Sequence, residues 1–77
     1  MDNDKDKDDV NFSKVKLFLE LKKNIHVTKK NGEWLNGMIC EPVNSEYFML
    51  DEYKKGLMPV FYAEVFDVEE YKLGVGE

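Results

Sequence analysis

The chain has one histidine and one cysteine, His26 and Cys40, and these are its best candidates for nucleophilic chemistry. A cysteine nucleophile needs a neighbouring base and a setting that stabilises the thiolate. His26 stands between Ile25 and Val27 in a strand-like run, where it is expected to point outward. It could face Cys40 across strands, but nothing in the sequence requires that pairing. The sequence also lacks a glycine-rich phosphate loop and a serine elbow. We therefore predict a non-enzymatic protein without catalytic residues.

The N-terminal aspartates have a spacing that calcium loops use, since they recur at every second residue from Asp4 to Asp8. The loop position that requires glycine is Asp9, however, and the position that requires a bidentate glutamate is Val15. We expect no metal and no cofactor. Residues 1–11 are predicted to form a disordered acidic tail.

Charge is distributed unevenly along the chain. The formal net charge is −5, yet residues 12–32 carry +5, while residues 1–9 carry −3 and residues 33–77 carry −7. A solvated helix face is one explanation of the basic segment, and a phosphate-contacting surface is the other. On the second explanation, the predicted nucleic-acid-binding residues are Lys14, Lys16, Lys22, Lys23, Lys29 and Lys30.

Most of the ten aromatic residues are expected to fill the core of so small a domain, and some of Trp34, Tyr47, Tyr53 and Tyr62 are expected to remain partly exposed. Exposed aromatic rings beside lysines would stack nucleobases, and Tyr47 is our candidate for that role. Exposed rings beside acidic residues would instead suit a peptide or a second subunit.

Alternating apolar residues predict a mainly β protein. Ile25 and Val27 alternate with polar neighbours, Asn31-Gly32 is typical of a hairpin turn with positive φ, and Gly37 indicates a sharp bend. Together these features predict a small, strongly bent, five-stranded antiparallel β-barrel. The strands are expected at 24–29, 33–41, 46–51, 60–62 and 65–68, with a charged loop at 51–57.

A short helix is predicted over residues 12–22, because Phe12, Val15 and Leu19 recur at helical spacing. A strand over residues 16–21 is the competing assignment. The barrel domain is expected to span residues 12–73, and residues 74–77 to be a flexible C-terminus.

Seventy-seven residues form a single domain, and one cysteine allows no intrachain disulfide. Stability is therefore expected to come from homo-oligomerisation through the last two strands. The predicted location is the cytoplasm, or the host cytoplasm if the gene is viral, with no membrane and no small-molecule substrate. The predicted interface residues are Val60, Phe61, Tyr62, Val65, Phe66 and Val68.

The run from Ile25 to Ile39 resembles the first motif of Sm-like (LSm) domains: a strand, an Asn-Gly turn, then an aromatic residue and a glycine before an aliphatic residue. The resemblance spans residues 12–71. It implies an N-terminal helix, five bent strands, ring assembly and RNA binding. Val43 and Tyr47 stand near the family's base-contacting Asp and Asn, and Val60-Phe61-Tyr62 stands where the family has aliphatic-Arg-Gly.

The end of the chain also resembles an SH3 domain. Gly56 to Val65 is similar to the glycine-aliphatic-proline-tyrosine segment of that family, and Gly32-Glu33-Trp34 to its ligand-binding tryptophan. Two functions follow. The first is an Sm-like oligomer that binds RNA or another nucleic acid through its basic N-terminal face. The alternative is a protein-interaction or scaffolding barrel that binds no nucleic acid.

Overall fold

The computed structural model describes residues 3–71, with side chains from residue 6 onward. One helix precedes five antiparallel strands that form a single sheet. The elements are α1 (Asn3–Leu21), β1 (Asn24–Lys29), β2 (Trp34–Val43), β3 (Tyr47–Glu52), β4 (Gly56–Phe61), a 3₁₀ turn (Tyr62–Glu64) and β5 (Val65–Glu70).

Helix α1 begins nine residues before the expected start, so residues 3–11 are helical and the prediction of a disordered tail over this segment was wrong. Side-chain contacts explain the difference. Asn11 is fully buried, and the Lys7 ammonium lies 4.3 Å from the centre of the Phe66 ring. Carboxylates near a helix N-terminus, such as that of Asp6, also stabilise the helix by interacting favourably with its dipole.

Helix α1 ends in a Schellman motif. Lys22 has a φ of 56°, and the N–H groups of Lys22 and Lys23 donate to the carbonyls of Leu19 and Phe18. The strand alternative for residues 16–21 is therefore wrong. Within residues 3–71, no helix has both the length and the apolar character needed to cross a membrane.

The first hairpin turn lies where Asn31-Gly32 predicted it, but its geometry differs. The Gly32 N–H donates to the Lys29 carbonyl, the Lys29 N–H donates to the Glu33 carbonyl, and only Gly32 takes positive φ (93°). The connection is thus a three-residue loop with glycine in the left-handed position. Asn31 instead accepts a hydrogen bond from the Glu33 N–H through its side chain.

The sheet order is β4-β3-β2-β1-β5. Alternation with period two puts one face of β1, β3 and the first half of β2 into the core, whereas a register shift spaces the buried residues of β5 three apart. Helix α1 covers the buried face with Val15, Phe12, Phe18 and Leu19. The buried residues of the strands are Ile25, Val27, Leu35, Ile39, Phe48, Leu50, Val60, Val65 and Val68.

Gly37 lies in β2, between β1 and β3. A β-carbon there would overlap the backbone carbonyl of Asp51 and lie 2.9 Å from the Glu52 Cα atom. The close approach of two backbones explains why this position requires glycine.

Strand β4 begins at Gly56, so the charged loop expected over 51–57 shrinks to a tight turn. Pro59 lies in this edge strand opposite Met49, where a missing N–H is tolerated. Among the described residues β4 and β5 do not pair, so the five antiparallel strands form an open sheet with two edges and not a closed barrel.

Candidate functional site

Three of the six lysines predicted to contact nucleic acid are paired with carboxylates. Lys14 bonds Asp67 at 2.8 Å, and Lys23 lies 3.5 Å from Glu70. Lys29 lies 3.4 Å from Glu33 and 3.5 Å from Glu64. Half of the expected basic surface is therefore neutralised within the chain, and two acidic residues of β5, Asp67 and Glu70, form ion pairs with it.

The ion pairs also shift the pKa values of their acidic residues. Burial raises the pKa of Asp67, but hydrogen bonding to Lys14 and its positive charge outweigh burial, so the pKa is lowered overall. A hydrogen bond from Lys29 lowers the pKa of Glu33. Both carboxylates therefore carry their charge at neutral pH, and they attract the lysines that a phosphate would need.

The other three lysines, Lys16, Lys22 and Lys30, form no ion pair among the described side chains. Lys16 and Lys22 line an open groove of about 1070 Å³ that also contains Glu20 and Glu41. Lys30 lines a different depression, formed with Lys29, Asn31, Ala63 and Glu64. The structure thus does not gather the six lysines into one basic face.

Tyr47 lines neither of these depressions. Its ring packs against Phe61 of β4, with ring centres 5.4 Å apart. The structure therefore does not bring Tyr47 together with the lysines, as a stacking site for a nucleobase would require.

Four of the six residues predicted at the oligomer interface are core residues. Their side chains are at most 3% exposed; they are Val60 of β4, Tyr62 of the 3₁₀ turn, and Val65 and Val68 of β5. Phe61 and Phe66 point outward and are 44% and 55% exposed. Side-chain contacts to another copy would come from these two phenylalanines.

The outer face of the sheet carries an aromatic cluster that the sequence analysis did not single out. We call it the outer platform: His26, Trp34, Tyr53 and Tyr71, with Asn24 and Asn36 between them. The His26 ring lies 5.8 Å from that of Trp34 and 6.2 Å from that of Tyr71. Period-two alternation in the sequence places His26 of β1 and Trp34 of β2 on the outer face. It does not indicate that Tyr53 and Tyr71, which follow β3 and β5, lie beside them.

Hydrogen bonds hold the outer platform in place. His26 Nδ1 and Asn36 Oδ1 lie 2.6 Å apart across β1 and β2, and the Tyr53 hydroxyl donates to Asn24 Oδ1. Partial burial and the nearby Tyr71 raise the pKa of Tyr53. Trp34 remains 66% exposed, so the platform presents its indole ring to solvent.

His26 and Cys40 do not form a nucleophile–base pair. His26 lies opposite Asn36, whereas Cys40 lies further along β2 opposite Met49, and its thiol is directed to the Met38 carbonyl at 3.8 Å. Among the described residues, no three His, Cys, Asp or Glu side chains cluster as metal ligands would.

Glu52 is buried, although it lies in the segment predicted as a charged loop. Its carboxylate accepts hydrogen bonds from the N–H groups of Asn36, Lys54 and Lys55, at 3.1, 2.8 and 2.8 Å. These bonds lower its pKa. Glu52 therefore holds the β3–β4 turn against β2, and its role is structural.

Comparison with models of known protein families gives no match, and comparison with curated proteins gives none either. The helix followed by five strands has the order that the Sm-like resemblance implies. Membership of the Sm-like or SH3 family stays a prediction.

Proposed function

We propose that this chain is a non-enzymatic assembly module whose copies join edge to edge, β4 of one copy against β5 of the next. The observation that carries the proposal is the strand order, which leaves β4 and β5 as two different open edges. An open edge presents unpaired N–H and C=O groups that a second strand can satisfy.

Each edge also carries an exposed phenylalanine, Phe61 on β4 and Phe66 on β5. Monomeric sheet proteins usually protect their edges with charge, proline or a covering segment. Here Pro59 gives β4 some protection, and Lys7 of α1 packs on Phe66. Exposed aromatic area beside a free edge is what a strand-pairing partner would bury.

The two edges differ in sequence, so β4–β5 pairing is head to tail. Head-to-tail contacts form a ring when the rotation between copies closes. Ring assembly would also supply the stabilisation that a 77-residue chain with a single cysteine does not get from a disulfide.

The test uses the native mass at micromolar concentration. The parent chain should give a multiple of 9.1 kDa, whereas Phe61→Lys and Phe66→Lys should each give monomers, since a lysine on the edge opposes pairing. A mixture of the two variants should give a dimer, because each retains the edge that the other has lost.

Trp34→Lys is the matched control, since it also replaces an exposed aromatic residue but lies in central strand β2. It should assemble like the parent. A parent chain that is monomeric at micromolar concentration refutes the proposal, and self-association of either edge variant alone refutes its head-to-tail form.

Nucleic-acid binding is the second candidate, and Lys16 and Lys22, which share one groove and form no ion pair with any described side chain, favour it. Binding to oligo-U or oligo-A should then weaken as salt rises, and Lys16→Glu with Lys22→Glu should abolish it. Lys54→Glu with Lys55→Glu, the same charge change in the β3–β4 turn, should retain more binding. If the parent does not bind either oligonucleotide at low salt, this candidate is excluded.

A further inference from the structure

The geometry points to a second binding surface: the outer platform takes a basic peptide segment, whose arginine or lysine side chains lie on its rings and pair with Asp51 and Glu69. This partner surface is separate from the two sheet edges. It does not depend on edge-to-edge assembly, because strands that pair in the plane of the sheet leave its outer face uncovered.

The rings of the outer platform offer a surface for cations. Trp34 and Tyr53 are more than half exposed, and His26 lies between Trp34 and Tyr71 with ring centres 5.8 and 6.2 Å away. Aromatic faces carry partial negative charge and attract cations, most strongly on tryptophan. The hydrogen bonds of His26 and Tyr53 to neighbouring asparagines fix the rings before a ligand arrives.

Two carboxylates, those of Asp51 and Glu69, lie on the same face of the sheet as the rings. Glu69 lies opposite His26 in the β1–β5 register, and Asp51 lies opposite Met38 in the β2–β3 register. Both are exposed, and neither forms an ion pair within the described part of the chain. They flank the platform on its β5 and β3 sides.

Charge complementarity decides the kind of partner. Residues 33–77, which supply most of the platform, carry −7, and the chain as a whole carries −5. A nucleobase would also stack on Trp34, but its phosphates would meet Asp51 and Glu69 and be repelled. A guanidinium or ammonium group satisfies both the rings and the carboxylates.

Trp34 is the single tryptophan of the chain, so its fluorescence reports on the platform alone. An arginine-rich peptide titrated into the full-length protein should change the Trp34 emission saturably, and the affinity should fall as salt rises. An acidic peptide of equal length and oligo-U should leave the emission unchanged.

Asp51→Asn with Glu69→Gln should weaken peptide binding about tenfold, as the loss of two exposed charge contacts allows. Glu41→Gln with Glu46→Gln is the matched control, since both carboxylates lie outside the platform. Both are exposed, and neither forms an ion pair among the described residues. This control should bind within about twofold of the parent.

A third variant, Trp34→Ala, is followed by the anisotropy of a labelled peptide and should weaken binding about fivefold. Leu17→Ala, which trims an exposed residue of α1, should not. The inference is overturned by an absent emission change with the basic peptide, by equal losses in the two double variants, or by a saturable change of the Trp34 emission with oligo-U. Edge-to-edge assembly is measured by native mass and peptide binding by fluorescence. The failure of one proposal therefore leaves the other untouched.

Discussion

The structure buries two polar side chains in two different regions. Glu52 ends β3 in the middle of the sheet, and Asn11 lies where α1 covers β5. The Glu52 carboxylate accepts three backbone hydrogen bonds, whereas neither polar atom of the Asn11 side chain has a partner among the described residues.

The contrast extends beyond these two residues. In the middle of the sheet, β1, β2 and β3 each pair on both sides, and the backbones approach closely at Gly37. Outside the middle, the outer edge of β5 is unpaired within residues 3–71, and the buried Asp8 Oδ1 atom and Tyr62 hydroxyl, which lie near Glu46 and Phe61, have no described partner. A buried unpaired polar group costs stability, so the middle is the better optimised region, whereas the two edges, β4 and β5, are the parts that we expect assembly to change.

The largest expected effect is in the middle of the sheet. Gly37→Val should lower the free energy of unfolding by about 3 kcal/mol or more, because the added side chain overlaps the Asp51 carbonyl and the two backbones must separate. Denaturant unfolding measures the loss.

Gly32→Ala is the control for that substitution. Gly32 has positive φ, but the space that a β-carbon would occupy there is open, so alanine should cost only about 1 kcal/mol. Equal losses at the two glycines would show that close packing in the middle of the sheet is not the reason for Gly37.

Next in size is Glu52→Gln, which should cost about 2 kcal/mol at pH 7 because the amide replaces a charged acceptor of buried N–H bonds. The pKa of Glu52 is lowered in the fold, so its contribution is complete above its ordinary pKa of 4.5 and is lost as the pH falls through the folded value. The difference between parent and variant should shrink below pH 4.5 when unfolding is followed against pH. A constant difference would contradict the charge argument.

On the β5 side a substitution should improve stability. Asn11→Leu replaces a buried, unpaired amide with an apolar side chain of similar volume and should raise the free energy of unfolding by about 1 kcal/mol. Thermal unfolding would show a higher midpoint. Ser13→Leu, at an exposed position of α1, should show no such gain, and a loss at Asn11 would mean that its amide is satisfied in solution.

The smallest expected effect is that of Lys14→Gln. The Lys14–Asp67 ion pair joins α1 to β5, but both side chains are partly exposed, so its loss should cost about 0.5 kcal/mol at neutral pH. The cost should vanish at a pH low enough to protonate Asp67, whose pKa is lowered in the fold. A cost as large as that of Glu52→Gln would contradict the ranking of the two regions.

The sequence predicted β1, β2, β3 and β5 well, whereas the start of α1 and most of β4 were missed, for a physical reason. Strand β1 was placed at its observed bounds because Ile25 and Val27 carry a period-two signal that burial alone produces. The helical start at Asn3 was missed because its polar residues show no apolar stripe, and contacts such as Lys7 on Phe66 join residues far apart in the chain.

The candidate sites show the same limit. The six lysines are close in sequence, but their pairing depends on distant acids, as in the 53-residue separation of Lys14 and Asp67. The outer platform likewise depends on Tyr53 and Tyr71 meeting at Asn24. Local sequence patterns indicated that His26 points outward, but they did not indicate which side chains lie next to it.

Residue-resolved amide hydrogen exchange at two protein concentrations tests edge-to-edge assembly most directly. Amides of β1, β2 and β3 should be protected equally at both concentrations, whereas the outward N–H groups of β4 and β5 should lose protection on dilution as copies separate. Exchange at both edges that stays fast and independent of concentration, up to the highest concentration measured, would contradict the account.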